Sequence, residues 1–193
     1  MKWTLLAAIA LFACDEKKAG NEPPPSRVNA AKTEAKKGPT AEGFCDVHFA
    51  GDSGPKLTLP ALTGGSLPAT SKSWRWINVW ATWCKPCLEE MPRLAKWRDQ
   101  LGAAGHPIEL AFVSVDESDA DLAAHRKEHP DTPPSPRLAD PKKQADWFAA
   151  VGLDGSPPIP VHIFVAPSGH VRCARAGGVR ETDYAAIEKV FTE

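Results

Sequence analysis

Apolar residues along the chain fall into short blocks with distinct spacings. Residues 76–80 form a nearly continuous apolar run, interrupted only by Asn78, which predicts a buried central strand. Residues 86–103 place Cys87, Met91, Leu94, Ala95 and Leu101 at helical spacings on one face. Residues 108–115 are again apolar almost throughout, as a parallel strand covered on both faces requires. Residues 116–128 predict a short polar helix capped by Ser118 or Asp116, and residues 129–136 a proline-rich loop. A further helix is expected at 141–151, with Trp147 and Phe148 inward. A strand follows at 161–165, then a turn at Pro167-Ser168-Gly169 and an antiparallel return at 171–174. Residues 182–191 predict a last helix with Tyr184, Ile187 and Val190 or Phe191 inward.

This alternation of strands and helices predicts an α/β fold, a central sheet with helices on both faces. No internal repeat is present. The hydrophobic content of 42% suits an ordinary core, and the net charge of −1, without a basic stripe, gives no reason to expect a nucleic-acid partner. Nothing in the pattern demands more than a monomer.

The first residues read differently. Met1-Lys2 is a minimal positive start, and residues 3–12 are apolar but too short to span a bilayer. Leu11-Phe12-Ala13-Cys14 resembles a bacterial lipoprotein cleavage box, although Phe12 is bulkier than is usual there. The expectation is a signal peptide at 1–13 and a lipid on Cys14, which would hold the protein to a membrane on its periplasmic side. Residues 14–41 are rich in Lys, Glu, Ala and Pro, with Pro23-Pro24-Pro25 inside, and cannot bury enough apolar surface to offset their ordering entropy. They are expected to be a disordered linker reaching roughly 80–90 Å when fully extended. The folded domain is then 42–193.

The chemistry concentrates at Cys84-Lys85-Pro86-Cys87, between the first strand and its helix. A helix N-terminus stabilises a thiolate, Lys85 adds positive charge, and Pro86 suits a first helical turn. Thiol–disulfide exchange needs one accessible thiol to attack and a second to resolve the mixed disulfide. Cys84 is the expected nucleophile and Cys87, deeper in the helix, the resolving thiol. A static disulfide here would close a loop of only Lys85 and Pro86 and constrain little unfolded-chain entropy. A zinc half-site would need two more ligands, and no second Cys-x-x-Cys exists. Glu90 lies three residues past Cys87, on nearly the same face, where a carboxylate can pass a proton to or from the thiol. The plain alternative is a solvated surface Glu, the reading adopted for Glu89.

Cys45 and Cys173 remain. The four cysteines other than Cys14 allow three pairings, and assigning Cys84–Cys87 leaves Cys45–Cys173 as a structural disulfide outside the cytosol. Alternatively one of the two is a free thiol or a relay partner of Cys84. The histidines, His48, His106, His125, His129, His162 and His170, are scattered without ligand spacing and read as surface or loop residues. Only His162 falls within an expected core strand. No metal and no cofactor are expected.

The stretch from Asn78 to Pro92, with Trp83-Cys84-Lys85-Pro86-Cys87 at its centre, resembles the thioredoxin superfamily. The likeness is narrower to its TlpA-like/ResA-like branch of membrane-tethered, extracytoplasmic oxidoreductases, and it extends loosely from about Lys56 to the C-terminus. The resemblance implies a thioredoxin fold with a mixed sheet, extended by a strand or hairpin at 57–67. Asn78, in place of the buried Asp of ordinary thioredoxins, and Glu90 match the branch, and Pro92 matches the proline that kinks the active-site helix in thioredoxins. Trp83 is expected to cover the active-site disulfide. Pro160, with Gly169 nine residues on, matches the cis-proline that leaves the backbone of Ile159 free to pair with a bound client; Pro157 and Pro158 compete for that role. Lys85, Pro86, Trp83 and Ile159 are thus candidate client contacts. The implied partners are oxidised extracytoplasmic proteins, apocytochromes c among them, and a transmembrane thiol electron donor. Rivals are a peroxiredoxin-type peroxidase, a non-catalytic metal- or client-binding lipoprotein, and an oxidant that introduces disulfides.

Overall fold

Residues 39–67 and 72–193 are described by the computed structural model. The expected signal peptide, Cys14 and residues 15–38 of the expected linker lie outside them. The elements run α1 (Ala41–Phe44), β1 (Val47–His48), β2 (Leu62–Thr63), β3 (Trp74–Trp80), α2 (Lys85–Ala103), β4 (Ile108–Ser114), α3 (Asp119–Glu128), β5 (Arg137–Leu138), α4 (Gln144–Ala150), β6 (Val161–Val165), β7 (Val171–Ala176) and α5 (Tyr184–Thr192). Short 3-10 turns, Pro141–Lys143 and Glu181–Asp183, lead into α4 and α5.

The strands form one mixed sheet in the order β1-β7-β6-β3-β4-β5-β2. β3 pairs parallel with β4 and antiparallel with β6, so it is central and its residues from Arg75 to Trp80 are all buried. The register puts Asn78 opposite His162 and Trp76 opposite Phe164. On that pleat Trp76 stacks against Trp97 of α2 and Phe164, while Phe164 meets Phe44 of α1 and Phe191 of α5 edge-on. Aromatic rings from three helices therefore seal this face. The other pleat carries Ile77 and Val79 beside Ile163 and Val161, all fully buried, so both faces of the sheet are covered. This is the expected α/β architecture.

Several local expectations shift. Of the strand or hairpin expected at 57–67, a short strand forms and a hairpin does not. Leu62–Thr63 is a two-residue strand pairing antiparallel with β5 at one edge, and Lys56 bridges to His170 near the other. β5 itself lies just past the expected 129–136 loop. Strands of two residues carry no periodicity to read. α1 begins at the end of the expected linker: Thr40 caps it through Gly43 N–H, and Ala41 is fully buried. Ser118, rather than Asp116, caps α3 by accepting from Asp121 N–H. A disulfide joins Cys45 to Cys173 across 128 residues and ties the segment after α1 to β7. No helix among the described residues is long and apolar enough to cross a membrane.

Candidate active site

β3 ends at Trp80, and the chain turns through Ala81-Thr82-Trp83 to start α2 at Lys85. Asp116, at the end of β4, holds this turn. Its buried carboxylate accepts from Thr82 N–H at 3.0 and 3.1 Å, from Thr82 Oγ1–H at 2.7 Å and from Ser114 Oγ–H at 2.6 Å. The sequence marked Asp116 only as a possible helix cap. Its part here depends on parallel pairing of β3 with β4, which no local pattern reveals.

Cys84 occupies the N-cap of α2, and its Sγ is bonded to that of Cys87. Cys87 N–H points at Cys84 Sγ, 3.3 Å away, so the sulfur meets the positive end of a 19-residue helix. Pro86 sits in the first turn, where its missing N–H costs nothing. Cys84 is 4% exposed and Cys87 fully buried. Cys84, the expected nucleophile, is thus nearly covered in this oxidised state. Trp83, expected to lie over the disulfide, is 68% exposed beside it. Lys85 is solvated and pairs with Glu89 at 3.6 Å, one turn along.

The Ile159–Pro160 bond is cis, whereas Pro157 and Pro158 are trans. The register of Val79 with Val161 sets Pro160 level with Trp80, at the end of the sheet from which the cysteine turn departs. Ile159 is half-buried there and Pro160 buried.

Glu90 is 2% exposed, which excludes the surface alternative. Its Oε1 accepts from Asn78 Nδ2–H at 2.8 Å and its Oε2 from Val179 N–H at 2.9 Å. Asn78 thus serves Glu90 directly. His162, the one histidine within an expected core strand and not a surface or loop residue, is fully buried at the same cluster, opposite Asn78. The antiparallel register brings it there, and only its place in a core strand hinted at this.

One titrating group lies close by. His125 of α3 packs edge-on to Trp80 and 4.5 Å from the His129 ring. Burial pushes its pKa down, and the neighbouring His129 pushes the same way.

Comparison with known proteins bears on the family and the fold. The chain is 32% identical over 76 residues to a thioredoxin-like protein, YneN, of Bacillus subtilis, a match covering 38% of this chain and 45% of that relative. The match therefore spans less than half of that relative's length. Among solved structures, the thioredoxin domain of a thiol-disulfide oxidoreductase from Bacteroides vulgatus superposes with a TM-score of 0.53 at 20% identity, covering 74% of this chain and 99% of that one. A thiol:disulfide interchange protein DsbE from Chlorobium tepidum gives 0.53 at 24% identity, covering 72% and 94%. At these identities the structures establish the thioredoxin-like fold. The AhpC/TSA family model matches residues 50–174, well over half of the chain and the whole span from the cysteine pair to β7, and the chain belongs to that thioredoxin-like family.

Proposed function

We propose that this protein is a thiol–disulfide oxidoreductase that reduces disulfides of extracytoplasmic proteins through Cys84 and Cys87. The observation that carries the reading is the Cys84–Cys87 disulfide capping α2, with Cys87 N–H directed at Cys84 Sγ and a buried carboxylate, Glu90, one turn on. In the reduced form the Cys84 thiolate attacks one sulfur of a client disulfide. The client S–S bond breaks, a Cys84–client bond forms, and the other client sulfur leaves as a thiolate that takes up a proton. Cys87 gives its proton to Glu90 and attacks Cys84 Sγ. The second client thiolate leaves and is protonated, from Glu90 or solvent. Two electrons and two protons have then moved to the client, and the resulting disulfide is the state seen here. A dithiol donor on the membrane side returns the pair to the reduced form by the same exchange.

Ile159, half-buried before the cis-proline, offers extended backbone to a client strand, and exposed Trp83 gives an apolar contact beside the sulfurs. The lipoprotein-like start of the chain supports tethering through Cys14, with residues 14–41 as the linker. The peroxidase alternative loses ground on pattern: Pro-x-x-x-Thr-x-x-Cys would need Pro at 77 and Thr at 81, where Ile77 and Ala81 stand.

The test is the reduction potential of the pair, by equilibration in thiol buffers with alkylation and mass analysis. A value near or below about −270 mV supports a reductant, and one near about −120 mV reverses the direction. Cys87→Ser should trap a client mixed disulfide on Cys84. A pair that never cycles ends the enzyme reading.

A further inference from the structure

The buried cluster beneath α2 contains one polar group with no assigned task. His162 is fully buried on β6. Its Nδ1 accepts a hydrogen bond from Trp76 Nε1–H at 3.1 Å, and Asn78 Nδ2 lies 3.5 Å from the same nitrogen. An indole N–H can only donate, so Nδ1 must present its lone pair. The ring proton is therefore on Nε2. That nitrogen has no hydrogen-bond partner in this oxidised state, and Glu90 Oε1 stands 3.4 Å from it. An unspent buried N–H is costly and calls for an explanation.

We infer that His162 is a positioning residue for the dithiol chemistry: Trp76 locks its tautomer, and its Nε2–H closes on Glu90 when that carboxylate carries charge. The inference rests on the reading of Glu90 as the proton partner of Cys87. Glu90 then has three donors when ionised, Asn78 Nδ2–H, Val179 N–H and His162 Nε2–H. The first two are engaged already; the third is loose. Such a contact lets the carboxylate alternate between neutral and charged forms without moving its other partners. A second proton on His162 would have to sit on Nδ1 and would break the Trp76 bond, so the ring acts as a fixed donor and not as a second acid.

The charged groups around the cluster are committed elsewhere. On α2, Arg93 binds Val179 O at 2.6 Å and Glu181 at 3.1 Å. On β7, Arg175 stands across from His162 in register but reaches Phe44 O and the Phe44 ring of α1. Tyr184 of α5 packs on Trp97, and Glu89 is turned to Lys85. Cys87 and His162 are left as the titratable neighbours of Glu90 from α2 and the sheet.

The test follows the potential of the Cys84–Cys87 pair against pH in the full chain. The wild type should show a break in slope that Glu90→Gln abolishes. His162→Phe should move that break upward by about one pH unit, a tenfold change in proton affinity. His162→Gln, which keeps an amide N–H toward Glu90, should restore it most of the way. If Glu90→Gln matches wild type, the proton-partner reading fails and takes this inference with it. If Glu90→Gln differs but His162→Phe matches wild type, only the inference falls. Should His162→Phe not fold, 15N spectroscopy of the wild-type imidazole decides. Protonated Nε2 and bare Nδ1 across the neutral range support the inference, and a proton on Nδ1 overturns it.

Discussion

Replacing Cys45 and Cys173 together by Ala should destabilise the domain heavily while leaving its redox chemistry in place. The bond closes a loop of 128 residues. Chain-entropy bookkeeping, with a loss growing as 1.5R ln n, assigns such a loop about 5 kcal/mol at 25 °C. The Cys84–Cys87 bond spans a separation of 3, and the same expression gives it under about 2 kcal/mol. By this bookkeeping the Cys45–Cys173 bond is the staple, and the Cys84–Cys87 bond adds little to stability. Other contacts still hold α1 in place, since Phe44 packs edge-on to Phe164 and its carbonyl accepts from Arg175. The double variant should fold to the same structure with a shallower well. Urea unfolding under non-reducing conditions would read the loss directly, with a steeper denaturant slope because the freed unfolded chain exposes more surface. For a domain of this size the melting temperature should fall by about 10–20 °C. A loss below about 1 kcal/mol with an unchanged slope would refute the reasoning.

Asp116→Ala should cost about 2–4 kcal/mol, because Thr82 N–H and the Ser114 hydroxyl lose their buried acceptor; it should also shift the Cys84–Cys87 potential, which a thermal melt and a redox titration check together. Gly54→Ala should destabilise by about 1–3 kcal/mol or more, since the new Cβ would lie 2.0 Å from the Val171 carbonyl oxygen, and chemical denaturation measures it. Stability should also fall on acidification. The pKa of His125 is lowered in the folded state, so above the ordinary imidazole value of about 6.5 neither state binds the proton, and below it the unfolded chain binds first. Unfolding free energy measured from pH 8 to 5 should decline once pH drops through that value, and His125→Asn should flatten the decline.

The elements legible in the sequence are those with local signals. The strand at 161–165 has the predicted bounds, and the long helix begins one residue early at Lys85. Both depend on apolar spacing within a single segment. Trp97 was not assigned to the inner face of α2, although it is buried against Trp76. The two-residue strands β1 and β5 escape a reading of local pattern because only their partners define them.

The functional cluster divides along the same line. Cys84, Cys87 and Glu90 lie within two turns of one helix, so residue type and helical spacing by themselves place them together. The sequence likewise determined the alternation of elements, and with it the fold class. Pairing over distance was decided only by the folded chain. Parallel pairing of β3 with β4 carries Asp116 to Thr82, and antiparallel pairing of β3 with β6 sets His162 against Asn78 and beside Glu90. A one-residue slip would turn each of these side chains to the opposite face. Register is fixed by the packing of a whole sheet, a sum of many contacts distant in sequence, and no single segment encodes it.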